Sequence, residues 1–146
     1  MVTSEVLLGI VGLGNMGKAH AAMVQSGKVA GMRLTAVCVR EGGKSLASNG
    51  VRQFTDFAEM VRSGLVNAVL IATPHYSHTS LGVMVLEAGL HVLVEKPLAV
   101  STADAARLVA AHRDAGQVFG AMFQMRADPL YQKVRRMIER DRKSVV

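Results

Sequence analysis

Three glycines mark the first place in this chain where chemistry could occur: Gly12-Leu13-Gly14-Asn15-Met16-Gly17. They stand between an apolar run, Leu7–Val11, and a helical stretch, which is the context a phosphate-cradling turn requires. In that pattern the first glycine makes the tight turn and the second lets the backbone approach a pyrophosphate. The third lets the helix pack closely on the strand. Free N–H groups at the helix start, together with the helix dipole, favour a diphosphate. The chemistry implied is dinucleotide binding. A merely tight strand-to-helix turn is the alternative, and the segments that follow along the chain argue against it.

The next question is the adenosine ribose. An acidic residue about 20 positions on, at the end of the second strand, ordinarily binds its hydroxyls. Here that strand ends Ala36-Val37-Cys38-Val39-Arg40-Glu41, and the register puts Val39 at the carboxylate's place, with Arg40 following and Lys44 close by. Loss of a carboxylate removes repulsion of a 2′-phosphate, and a guanidinium at Arg40 can pair with one. The expected cofactor is NADP or NAD, with the balance toward NADP. Glu41 would restore NAD if the strand end shifted by two residues.

Two further segments fall at strand ends, Ala72-Thr73-Pro74-His75-Tyr76-Ser77-His78 and Val94-Glu95-Lys96-Pro97. Taken alone, Lys96 reads as a surface lysine. His75 and His78 lie at a strand-to-helix junction, where a histidine serves a helix start as readily as a cofactor. Neither has the partner spacing of a metal site, and hydride transfer needs no metal. His20, His91 and His112 read as structural or exposed, Cys38 as a small buried apolar residue, and Met122, Phe123 and Met125 as core.

The elements that must position these residues alternate in a βα rhythm. Strands are expected at Leu7–Val11, Leu34–Val39, Val51–Phe54, Ala68–Ala72, His91–Val94 and Val118–Phe123. Helices are expected over Lys18–Ser26, near Lys44–Ser48, from a cap at Asp56 through Arg62, and over Thr79–Ala88. Ser101-Thr102-Ala103-Asp104 is a capping box for a further helix ending at Ala115. Pro129 suits the first turn of a last helix running to about Arg140. Six strands with intervening helices form a Rossmann-type, doubly wound α/β sheet, and such sheets bind ligands at the carboxyl ends of their strands. All three segments above lie on that edge.

Composition narrows the class. Half of the 146 residues are apolar and there is no tryptophan, as suits a parallel sheet covered on both faces. The apolar runs are strand-sized, so no membrane span is expected. Met1–Glu5 offers no basic segment of a signal peptide. The single cysteine excludes an internal disulfide, and a cytoplasmic setting is expected. The net charge of +6 is concentrated at one end: from Arg126 onward there are seven basic residues against three acidic ones. That excess reads as a solvated helix face rather than a nucleic-acid surface.

With the three segments and Arg126-x-Asp128-Pro129 in order, the chain resembles the Gfo/Idh/MocA family of glucose–fructose oxidoreductase and inositol dehydrogenase, over essentially everything up to Arg140. The resemblance implies that Lys96 is the lysine of the family's Glu-Lys-Pro motif, near the nicotinamide and the reacting carbon of a sugar or polyol. An ammonium there can hydrogen-bond the substrate oxygen and stabilise charge developing during hydride transfer. If burial lowers its pKa it could also relay a proton. Glu95 would orient that lysine and contact the nicotinamide ribose, and Pro97 would fix the bend through a cis bond. Thr73, Pro74 and His78 would line the nicotinamide side, and Arg126 would face the mouth of the site.

The same resemblance implies a second, larger α/β domain that is absent from these 146 residues. The expectation is therefore a dinucleotide-binding domain over 1–125 and a helix over 126–140 leading toward that domain. The tail at 141–146 is expected to be non-native, because Asp-Arg-Lys-Ser-Val-Val matches a reading frame of a sequencing-library adapter; a natural polar tail is the alternative. The chain alone would bind cofactor with little turnover, and the longer protein would be a homo-oligomer. A stand-alone nucleotide-binding module without catalysis is the competing reading, against which the Glu-Lys-Pro triplet weighs. A methyltransferase on the same fold fits neither that triplet nor the glycine spacing.

Overall fold

A computed structural model describes residues 5–43, 46, 50–112 and 116–140. The expected helix near 44–48, the end of the helix expected at Ala115 and the tail at 141–146 lie outside these residues, wholly or in part. Six strands, β1 (Val6–Val11), β2 (Met32–Cys38), β3 (Arg52–Phe54), β4 (Ala68–Ile71), β5 (His91–Val94) and β6 (Phe119–Ala121), form one sheet. Its order is β3-β2-β1-β4-β5-β6, and every pairing is parallel. This is the doubly wound arrangement expected, with the reversal of strand order falling between β1 and β4.

The helices are α1 (Asn15–Gln25), α2 (Phe57–Arg62), α3 (His78–Glu87), α4 (Thr102–His112), α5 (Gln124–Ala127) and α6 (Pro129–Arg140). Local chemistry explains most of their boundaries. The Asp56 carboxylate accepts from the Glu59 N–H at 3.1 Å and caps α2. The Asp104 N–H donates to Ser101 Oγ at 3.1 Å, and Ser101 Oγ–H donates to Asp104 Oδ2 at 2.7 Å, so α4 opens on a hydrogen-bonded box. Gly89, at φ +77°, closes α3 in the left-handed region. Several boundaries shift by a residue or two, β2 ending at Cys38 rather than Val39 and β4 at Ile71 rather than Ala72 among them. Two shifts are larger or more consequential. α1 begins at Asn15 rather than Lys18, inside the glycine motif, and β6 ends at Ala121 rather than Phe123. The chain then leaves the sheet as α5, so Phe123 and Met125 are half exposed and are not core.

The core is split by the sheet. One cluster packs β-strand residues such as Val69, Ile71 and Val94 against Met60 of α2 and Val85 and Leu86 of α3. The other packs Leu8, Ile10, Val37 and Leu70 against Ala21 and Val24 of α1. On the α1 side an apolar groove of about 370 Å³ runs past α1 over β4–β6, lined by residues including Met23, Met32, Leu70, Leu93 and Met122. α6 is exposed along its whole length.

Candidate functional site

Backbone hydrogen bonds carry the sheet one residue past each strand end and lay the site out in a row. Gly12 N–H donates to Cys38 O at 3.0 Å, Ala72 N–H to Val11 O at 2.9 Å, Glu95 N–H to Ile71 O at 2.9 Å, and Met122 N–H to Val94 O at 2.8 Å. The first residues after β1, β4, β5 and β6 therefore sit side by side. At the usual strand spacing, the loop after β5 lies about 10 Å from the glycine loop.

The glycine loop has the geometry its sequence requires. Gly12 has φ +89°, and a Cβ there would lie 2.7 Å from the Ala72 carbonyl oxygen. A Cβ on Gly17 would overlap the Gly12 carbonyl oxygen, so α1 can start this close to β1 only with glycine there. Gly14 differs: nothing lies within 4 Å of a Cβ built on it. Its open side, at the start of α1, is the room that a pyrophosphate needs above the N–H groups of the helix. Asn15 and Met16 form the first turn of α1 and are exposed. The residues present fit a dinucleotide.

The loop opens into a cleft of about 480 Å³. Its floor and near wall include Gly12, Leu13 and Gly14, its far walls Val39, Arg40 and Thr55 on one side and Thr73, Pro74 and Tyr76 on the other. Val39 is 7% exposed and Arg40 is exposed. Among the described residues that line the cleft there is no carboxylate, and Glu41 is not one of them. Cys38 also borders the cleft; burial, reinforced by the nearby Asp56 carboxylate, pushes its thiol up to about 11.

The loops after β4 and β5 are tied together by His78. It is 1% exposed, and its two ring nitrogens lie 2.9 Å from backbone carbonyl oxygens, Nδ1 from Pro97 O and Nε2 from Thr73 O. Its ring thus bridges the two loops at their backbone, and His78 is not among the residues that line the cleft. Thr73 Oγ1 and Ser77 Oγ share a hydrogen bond of 2.7 Å that steadies the same loop. His75 is exposed.

Glu95 is 4% exposed and has both oxygens engaged. Oε1 lies 2.7 Å from His20 Nε2, and Oε2 accepts from the Lys96 N–H at 3.0 Å. Lys96 and Pro97, joined by a cis peptide, are exposed at the end of β5. Arg126 lies on α5 with its guanidinium 4.9 Å from the Phe123 ring centroid and is exposed. His20, read from the sequence as structural or exposed, has a partner that only the fold reveals. A signal was present: His20 follows Gly17 by three positions and precedes Val24 by four, which places it on the sheet-facing stripe of α1.

Among the described residues no group of His, Cys, Asp or Glu is arranged to hold a metal ion, and no helix is long and apolar enough to cross a membrane. The model of the Gfo/Idh/MocA oxidoreductase family, NAD-binding Rossmann fold, matches residues 6–123. The chain belongs to this family. It is 34% identical over 140 residues to inositol 2-dehydrogenase 1 of Saccharopolyspora erythraea, covering 92% of this chain and 41% of that one. It is also 34% identical over 103 residues to the rhizopine catabolism protein MocA of Rhizobium meliloti, covering 70% of this chain and 32% of that protein. Among solved structures, the WlbA dehydrogenase of Bordetella pertussis, in complex with NADH and UDP-GlcNAcA, superposes with a TM-score of 0.85 at 28% identity, over 97% of this chain and 42% of that one. The scyllo-inositol dehydrogenase of Lactobacillus casei, with bound NAD(H) and scyllo-inositol, gives 0.80 at 27% identity, over 95% and 42%. The chain spans about two fifths of the length of these dehydrogenases.

Proposed function

We propose that this chain is the dinucleotide-binding part of an oxidoreductase acting on a hydroxyl-bearing carbon of a polyol, sugar or related compound. The observation that carries this reading is the carboxyl edge of the sheet, where the glycine loop, Arg40 and the Thr73–Pro74 loop line one cleft and the Glu95-Lys96-Pro97 turn follows the strand next to β4. Relatives named as inositol dehydrogenases, and a related dehydrogenase solved in complex with UDP-GlcNAcA, support the substrate class.

When bound, the nicotinamide supplies a hydride acceptor or donor. The chain's own residues do the rest. Gly12, Leu13, Gly14, Asn15, Met16 and Gly17 hold the pyrophosphate on backbone N–H groups. Val39 and Arg40 face the adenosine ribose. With no carboxylate in the cleft lining and a guanidinium at its rim, the 2′-phosphorylated dinucleotide, NADP, is the better fit. Thr73 and Pro74 border the nicotinamide half, with His78 fixing their loop. Lys96 is the catalytic residue: its ammonium donates to the substrate oxygen and stabilises negative charge there. Glu95 sets the Lys96 backbone, and Arg126 lies toward the mouth of the site.

Lys96 stands in water here, which screens its charge. Turnover therefore needs a cover over the nicotinamide beyond what the described residues provide. The test is a longer protein carrying this domain together with its Lys96→Ala variant, assayed on inositols and sugars. A fall in kcat of at least about 100-fold, with cofactor affinity within threefold, is expected for a group stabilising the transition state. Unchanged kcat would remove Lys96 from catalysis.

A further inference from the structure

The residue three positions beyond the glycine motif has an unassigned part in the site. His20 projects from α1 onto the end of β5, where its Nε2 lies 2.7 Å from Glu95 Oε1. Both side chains are largely withdrawn from solvent, at 14% and 5% exposure. The other Glu95 oxygen accepts the Lys96 N–H at 3.0 Å. An unbroken chain of contacts thus runs from the helix that starts at the pyrophosphate loop, through one carboxyl group, to the backbone of the lysine.

We propose that His20 is a positioning residue that, through Glu95, sets Lys96 relative to the glycine loop; its functional meaning rests on the role given to Lys96 above. A carboxyl group has freedom about its side-chain torsions, and one backbone N–H does not fix it. His20 supplies the second donor, from a different element, and so selects the Glu95 rotamer that caps the Lys96 N–H. Because His20 and Gly17 share a face of α1, the distance between the pyrophosphate cradle and the lysine is set by one helix turn and two hydrogen bonds. This also explains why Glu95 is buried with both oxygens engaged, rather than presented to a ribose.

Amide hydrogen exchange on the intact chain, without cofactor, tests the link. In His20→Ala the Lys96 amide is expected to exchange at least tenfold faster than in the unaltered chain, while core amides of Val69 and Ile71 keep their rates. His20→Gln retains an N–H donor and is expected to bring Lys96 back to within threefold. A histidine that merely supports the fold would speed all of these amides by a common factor, and that result would overturn the proposal. So would an unchanged Lys96 rate in His20→Ala, or a failure of His20→Gln to restore protection. Absence of dinucleotide binding would instead refute the functional reading above and leave this result standing.

Discussion

In the function proposed above, Arg40 is the residue on which cofactor choice turns. It stands at the cleft rim beside buried Val39, where a carboxylate would otherwise receive the ribose hydroxyls. Arg40→Asp is expected to shift the NADPH-to-NADH affinity ratio toward NADH by at least about tenfold, the scale of one charge-assisted pair gained or lost. Fluorescence titration with both cofactors measures it, and an unchanged ratio would take Arg40 out of the ribose site. Cys38 gives a second prediction. Its thiol is held up to about 11 in the fold, whereas an unfolded chain ionises near 8.5, roughly. Between those values the unfolded chain has lost a proton that the folded chain retains, so stability falls as pH rises through that window. The thermal midpoint is expected to drop from pH 7.5 to 10, and to drop less in Cys38→Ala. An equal drop in both proteins would place the pH dependence elsewhere.

At the scale of elements, what could be read ahead of the structure was whatever a short segment determines by itself. The caps at Asp56 and Ser101, the glycine turn and the parallel strands follow from local hydrogen bonding and from apolar runs bounded by punctuation. The pairing of His20 with Glu95 joins residues 75 positions apart, and the double engagement of His78 depends on two loops meeting. Periodicity places His20 on the sheet-facing stripe of α1 but names the partner in neither case. Likewise Phe123 and Met125 have core-like side chains, yet the early end of β6 leaves them outside. His78 supports a test at this scale. His78→Ala leaves the Thr73 and Pro97 carbonyl oxygens without the ring and is expected to destabilise the fold by about 1–3 kcal/mol. Denaturant unfolding reads this, and no loss of stability would mean that the ring does not hold the two loops.

Across the whole molecule, the sheet and its flanking helices are knit together, whereas α6 stands apart. Its apolar residues Leu130, Val134, Met137 and Ile138 recur at helical spacing and are all exposed. A lone helix of this length gains little from propensity, so it adds little to the stability of the sheet. Removing residues 129–146 is expected to leave the thermal midpoint within about 3 °C, on the order of 1 kcal/mol or less for a domain of this size. A larger fall would show that α6 supports the sheet.

Dinucleotide binding by the glycine loop underlies every role assigned to the cleft. NADPH and NADH should each be titrated into the 146-residue chain and into Gly14→Asp, following the nicotinamide fluorescence. Gly14 is the informative position, because a side chain there meets nothing in the protein within the first 4 Å. The fold should therefore survive, while the new carboxylate occupies the pyrophosphate's place and repels it. Saturable binding of at least one cofactor, weakened at least tenfold in Gly14→Asp with the thermal midpoint little changed, is the expected result. No saturable binding of either cofactor, or equal binding by the variant, would contradict it.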